Sequence, residues 1–142
     1  MLAGEIIYSE SMKEFGITIA RKMVSIISGS IEKNGVCFVA ISGGRTPLSV
    51  YEILNSKNYQ DILDWSKVHL FFIDERCVTA NHEKNNFKSC FDSWLKYFPK
   101  IKFHRIDGWL EPCEAAQKYE KEIVSYVDKK NGLPQFDLIF MG

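Results

Sequence analysis

The chain has 142 residues, enough for one domain with a real core. Eighteen basic and eighteen acidic side chains cancel, and 46% apolar with 25% charged residues is an ordinary globular balance. This excludes a basic stripe for nucleic acid and an acidic solvating tail. Apolar runs of about six residues fall far short of the roughly 20 that span a bilayer. Met1 to Glu5 lack the charged-then-apolar pattern of a signal peptide. Cys37, Cys77, Cys90 and Cys113 are irregularly spaced, without a C-x-x-C pair. They read as reduced thiols of a cytoplasmic protein, not as a disulfide frame or a zinc site.

In chain order, Ile6-Ile7-Tyr8 reads as a short edge strand. Ser11 and Glu14 fit a capping box, followed by Met12, Phe15, Ile19, Met23, Ile26 and Ile27 at helical spacing. Lys33-Asn34-Gly35 should end that helix, with Gly35 in the left-handed cap. Val36 to Ile41 is apolar without alternation, as in a strand buried on both faces of a parallel sheet. Ser42-Gly43-Gly44-Arg45 follows, and Thr46-Pro47 reads as the N-cap and first residue of a helix through Tyr51 and Leu54.

Val68 to Ile73 is a second unalternating run and stops at Asp74-Glu75-Arg76. After a polar loop from Thr79 to Asn85, Phe87, Phe91, Trp94, Leu95 and Phe98 mark one helix face, stopped by Pro99. At helical period these aromatics are core, not a platform for bases. Lys102 to Ile106 alternates and reads as a short strand. Pro112 opens a helix whose inner face is Ala116, Tyr119, Ile123, Tyr126 and Val127, ended by Lys130-Asn131-Gly132 as by Lys33-Asn34-Gly35. Phe136 to Met141 is a third buried strand.

Alternating strands and helices predict one α/β domain over 1–142, a Rossmann-like parallel sheet with helices on both faces. The third strand runs into Gly142 with no loop after it, which predicts the N-terminal portion of a larger domain, incomplete at its C-terminal end. Ligands in such sheets bind beyond the carboxyl ends of the strands, so the glycine loop and the Asp/Arg pair face one crevice. Gly43 and Gly44 permit close backbone approach, and the following helix offers free N–H groups to an anion. A tight strand–helix connection without a ligand would use the same residues. The loop matches neither a P-loop nor G-x-G-x-x-G. Arg76 can hold a phosphate through paired hydrogen bonds, and a carboxylate of Asp74 or Glu75 can orient a water, a hydroxyl or a histidine. A solvated charge cluster is the bland alternative. His69 and His104 read as packed in strands and His82 as a surface residue, with no metal-ligand spacing among them.

Five stretches follow in order: Ser42 to Pro47, Phe72 to Val78, Asn85-Asn86-Phe87, His104 to Gly108, and Phe136 to Gly142. In this succession the chain resembles the 6-phosphogluconolactonases, relatives of the glucosamine-6-phosphate deaminases, over essentially its whole length. The resemblance implies a Rossmann-like fold and hydrolysis of 6-phosphogluconolactone to 6-phosphogluconate in the pentose phosphate pathway. It implies a small sugar-phosphate substrate and no metal or organic cofactor. By the family pattern Gly43, Gly44 and Thr46 shape the sugar pocket, Arg76 holds the phosphate, and Asp74 supports a catalytic histidine. That histidine belongs to an Asp-Gly-His stretch following the strand that matches Phe136 to Met141, beyond this sequence, as does a later phosphate-binding lysine or arginine. Arg45 departs from the family pattern, which has a small residue there. It either adds positive charge to the pocket or points to solvent.

Three alternatives stand beside this one. The deaminases typically carry Asp-Glu-Tyr where this chain has Asp74-Glu75-Arg76, so Arg76 favours the lactonases. A nucleotide-binding module would use Asp74 on a ribose, but adjacent glycines and Pro47 fit that fingerprint poorly. A non-catalytic protein, either a lone fragment or a degenerate relative, is a third class, and within it the intact Asp74 and Arg76 favour a fragment.

Overall fold

A computed structural model describes residues 4–142, with the side chain of Arg45 outside the description. Four parallel strands, β1 (Cys37–Ile41), β2 (Val68–Phe72), β3 (Lys102–His104) and β6 (Leu138–Phe140), form a sheet in the order β3-β2-β1-β6. Between β3 and β6 a two-stranded antiparallel ribbon joins β4 (Lys129–Lys130) to β5 (Leu133–Pro134). The helices are α1 (Met12–Asn34), α2 (Arg45–Leu54), the single turn α3 (Lys57–Gln60), α4 (Asn86–Ser93) and α5 (Pro112–Tyr126). No helix among the described residues is long and apolar enough to cross a membrane.

The two unalternating runs are the central strands, as their composition predicts. Every residue of β1 and β2 is buried, and their register aligns Val39 with Leu70 and Ile41 with Phe72. Side chains alternate across the sheet. Val39, Ile41, Leu70 and Phe72 therefore share the face that α1, α2 and α4 cover. Phe38, Ala40 and Phe71 share the other, packed by Tyr119 of α5 and Val127 just after it. Ser11 Oγ accepts the Glu14 N–H at the start of α1, and Gly35, at φ 77°, closes its end with an N–H to Ile31 O at 2.8 Å.

Five local expectations are corrected. Ile6-Ile7-Tyr8 is not a strand but exposed chain, and it pairs with neither edge of the sheet. α2 starts at Arg45 with Gly44, not Thr46, at the N-cap. Lys130-Asn131-Gly132 does not end α5, which stops at Tyr126. Asn131 (φ 54°) and Gly132 (φ 81°) are instead the turn of the β4–β5 hairpin. Two successive left-handed residues make such a turn, and Asn-Gly is its preferred pair. Ala116 and Tyr126 lie outside the buried face of α5, where Ala115 takes the inner position. β6 is only half buried, with Ile139 exposed, because it pairs with β1 alone among the described strands.

The aromatic stripe splits. α4 breaks at Trp94, and Trp94, Leu95 and Phe98 enter the core. Phe87 and Phe91 instead stack on each other and meet Phe103.

His69 and His104 are packed, as expected, and are linked. His104 Nδ1 lies 2.7 Å from Glu122 Oε1, and its Nε2 lies 3.0 Å from His69 Nδ1. A carboxylate only accepts, so His104 Nδ1–H donates to Glu122, and one shared proton joins His104 Nε2 to His69 Nδ1. Burial, then the neighbouring His104 and Lys102, push His69 down to about 4. Its unfolded value is near 6.5, so between these values the unfolded chain binds more protons at this site. Stability should therefore rise with pH from about 4 to 6.5 and be lost on acidification through that window. Urea unfolding between pH 7 and 4 checks this. In His69→Phe the loss of midpoint over that window should shrink, and an unchanged pH slope would exclude His69 as its source.

Candidate functional site

The carboxyl ends of the parallel strands converge on one edge. Ser42, just past β1, donates its N–H to Phe140 O at 3.0 Å, and its own carbonyl accepts the buried Tyr51 hydroxyl at 2.7 Å. Burial pushes the Tyr51 phenol up, so it stays a donor, and its ring stacks on Trp94 at 5.0 Å. The loop is thus anchored to α2 and α4 before its glycines begin.

The two glycines are required for different reasons. Gly44 has φ 106°, a conformation side-chain-bearing residues rarely adopt. Gly43 is required by space: a Cβ there would fall 2.8 Å from Asn86 Cβ and closer still to its amide oxygen. Asn86 is the first residue of α4. Its Nδ2 donates to Asp74 O and to Asp74 Oδ2, both at 3.2 Å. One buried amide therefore joins the glycine loop to the acidic end of β2.

The two carboxylates have separate tasks. Glu75 Oε1 accepts the N–H of Asn86 at 2.6 Å and of Arg76 at 2.8 Å, and Oε2 accepts that of Phe87 at 2.9 Å. It is an anion seated on the N-terminus of α4, where orphan donors and helix dipole both favour it. Glu75 is thereby occupied, which corrects its standing as a candidate to orient a reacting group. Asp74 and Arg76 stay more than half exposed, with Asp74 Oδ2 4.0 Å from Arg76 Nε. Gly108, from the loop after β3, packs against the Arg76 carbonyl and leaves no room for a Cβ.

Gly44 and Arg76 line one cleft of about 250 Å³ with Leu48, Lys84, Asn86 and Ser89. Thr46 is exposed on the first turn of α2 and is not among these residues, and the Arg45 side chain lies outside the described residues. A second cavity of about 550 Å³ is lined by Asp74 and Glu75 together with Tyr119 and Ile123, so Asp74 faces this space and not the cleft of Arg76. Its walls are mostly hydrocarbon, so of the two the smaller cleft, with its two cations, is better suited to an anion. Among the described residues no cluster of His, Cys, Asp and Glu could hold a metal. Cys37 and Cys90 are pushed up to about 12 by burial, which keeps them as inert thiols.

Asn86 and Lys84 were not among the residues singled out from sequence. Asn86 stands in one of the quoted motifs, but its role depends on α4 starting there. Lys84 was one polar residue of a polar loop.

The family model described as Glucosamine-6-phosphate isomerases/6-phosphogluconolactonase matches residues 10–142. The chain belongs to this family. It is similar to the 6-phosphogluconolactonase of Synechocystis sp., with 33% identity over 133 residues, 89% of this chain and 54% of that protein. It is 32% identical over 126 residues to that of Thermotoga maritima, covering 87% of this chain and 53% of the relative. The crystal structure of the Thermotoga maritima protein superimposes with TM-score 0.76 over 88% of this chain and 54% of that one. The Trypanosoma brucei 6-phosphogluconolactonase, at 23% identity, shares the fold with TM-score 0.84 over 96% of this chain and 58% of its own. The chain spans about half the length of these family members.

Two stability measurements test the architecture of the site. Gly43→Ala should cost about 1–3 kcal/mol by overpacking against Asn86, and Asn86→Ala should relieve part of it, giving a double variant more stable than the sum of the two losses. Additive losses would mean that Asn86 does not impose the glycine. Glu75→Gln should lower stability by about 1 kcal/mol through the weakened helix terminus. Asp74→Asn should change it by no more than about 0.5 kcal/mol. The reverse order in urea unfolding would refute the division of tasks between the two carboxylates.

Proposed function

We propose that this chain carries the phosphate-binding and histidine-orienting side of a 6-phosphogluconolactonase. The protein built on it hydrolyses 6-phospho-D-glucono-1,5-lactone to 6-phosphogluconate in the pentose phosphate pathway. In this reading residues 1–142 are one α/β unit, the N-terminal portion of a lactonase/deaminase-like domain. One observation carries the choice within the family: Arg76, not a tyrosine, follows Asp74-Glu75 and lines the cleft beside the glycine loop. The relatives named above, all 6-phosphogluconolactonases, support the same choice. The four free cysteines suit the reducing cytoplasm in which we place the reaction.

The roles we assign combine the family pattern with this geometry. Arg76 takes the substrate phosphate in its guanidinium fork. Gly43, Gly44 and Thr46 shape the sugar pocket, with Arg45 beside them at the helix start. Asp74 Oδ2 is taken by Asn86, and Oδ1 has no protein partner among the described residues, so Oδ1 is the oxygen free to hold a histidine N–H. Gly142, after β6, packs against Pro47, its would-be Cβ 2.6 Å from Pro47 Cδ. An Asp-Gly-His stretch continuing from there enters beside the glycine loop. The histidine takes a proton from water as the water oxygen bonds to the lactone carbonyl carbon, making a tetrahedral oxyanion. The ring C–O bond then breaks, and the histidine returns the proton to the departing alkoxide. A lactone is an activated ester, so a positioned base and stabilisation of the oxyanion suffice, without a metal or organic cofactor.

Kinetics on the complete protein test these assignments. Arg76→Ala should weaken use of the phosphorylated lactone by about 10- to 100-fold, as expected for a charge-assisted bond of roughly 1.5–3 kcal/mol. It should leave the unphosphorylated lactone nearly unaffected, and equal losses on both would remove the phosphate role. Asp74→Asn should lower kcat more than it raises KM, because orienting and charging the histidine matters in the transition state. Deamination of glucosamine 6-phosphate with no lactone hydrolysis would assign the protein to the other branch of the family.

A further inference from the structure

We propose that Lys84 is a second cation of the phosphate site and sets the preference for phosphorylated over unphosphorylated ligands. The proposal rests on the reading of Arg76 as the phosphate ligand and adds to it a residue that the family pattern does not supply.

Charge accounting at the cleft leads to Lys84. A phosphate monoester carries about −1.5 to −2 charges at neutral pH. Arg76 lies 4.0 Å from the Asp74 carboxylate, so that pair brings no net charge to the cleft. Glu75 adds a further negative charge one residue away, directed at α4 rather than neutralised by a cation. Among the described residues, a dianion meeting Arg76 alone would face two carboxylates with one guanidinium, a balance that the later lysine or arginine of the family pattern would improve from the far side. Of the other cations near this edge whose side chains are described, three are engaged. Lys88 pairs with Asp92 at 2.8 Å, and Arg105 and Lys118 both turn to Asp107. Lys84 forms no ion pair among the described residues and lines the same cleft as Arg76 and Gly44.

The backbone that presents Lys84 is held in place. His82 donates its N–H to Thr79 O, and Asn85 donates its own to His82 O, each at 3.0 Å. The Lys84 N–H donates to His82 Nδ1 at 3.1 Å. The next residue, Asn85, is 2% exposed and caps α4 by accepting the Lys88 N–H at 2.7 Å. Lys84 is therefore a mobile point charge on a fixed stem. A lysine in that position follows a phosphate without demanding one orientation, while Arg76 supplies the directional contact.

The test is calorimetric binding of 6-phosphogluconate, gluconate and inorganic phosphate to the complete protein and to Lys84→Ala, Lys84→Glu and Lys84→Arg, with a thermal melt of each. Lys84→Ala should weaken 6-phosphogluconate and phosphate by about 3- to 10-fold, a loss smaller than for a buried pair because the side chain is solvated. Lys84→Glu should weaken them more, Lys84→Arg should retain most of the affinity, and gluconate binding should not move. The difference between wild type and Lys84→Ala should narrow as salt is raised. Unchanged phosphate binding, or equal losses for 6-phosphogluconate and gluconate, would overturn the proposal. Phosphate binding that depends on Lys84 in a protein inert toward the lactone would remove the lactonase reading and leave the role of Lys84 standing. Normal lactone hydrolysis with a phosphate preference indifferent to Lys84 would do the opposite.

Discussion

The Glu75 carboxylate accepts the first two N–H groups of α4, and from that contact the rest of the site takes its position. It fixes where α4 begins and so where Asn86 projects. Asn86 in turn donates to Asp74 and presses on Gly43. A helix terminus needs acceptors for its orphan donors, and here the acceptor comes from the end of the neighbouring strand instead of from the helix's own cap alone. Asn85 still satisfies the Lys88 N–H, so the terminus has two independent acceptors. The acidic strand end and the glycine loop cannot move apart without breaking these bonds.

This arrangement also separates two adjacent carboxylates that composition alone cannot tell apart. Glu75 is spent on structure, with its negative charge matched to a helix dipole. Asp74 keeps one oxygen on Asn86 and more than half its side-chain surface open. A carboxylate meant to orient another group must be held at one oxygen and free at the other, and of the pair only Asp74 meets that condition.

Much of this was legible in the sequence. β1 and β2 are the two unalternating apolar runs, and a strand buried on both faces leaves no other pattern. The glycine loop and Asp74 to Arg76 mark their carboxyl ends, so the edge carrying the site could be named beforehand. What sequence did not show depends on direction or on distant neighbours. Asn86 and Glu75 acquire their roles only because α4 points its N-terminus at β2. Lys130-Asn131-Gly132 resembles the Lys33-Asn34-Gly35 cap residue for residue, yet a second left-handed residue turns it into a hairpin. Ile6-Ile7-Tyr8 has strand composition, but the segment lies exposed and joins neither edge strand of the sheet.

The two faces of the sheet show how burial and chemistry are kept apart. On the α5 side, the buried His69 and His104 and the half-buried Glu122 form a hydrogen-bonded row, with His104 stacked 4.2 Å from Phe71. Histidines in such a row look like catalytic candidates by residue type. The α5 hydroxyl of Tyr119 donates to Phe72 O and accepts from Phe72 N, sealing that face against the end of β2. Their partners are one another and a helix glutamate, not the cleft at the strand ends. The groups left open to a ligand, Asp74, Arg76 and Lys84, all lie past the strands, where the parallel sheet has exhausted its own backbone partners. Among the described residues the sheet's other polar side chains already have partners, and a satisfied buried group has little left to offer a ligand, which is why the candidate site sits at that edge.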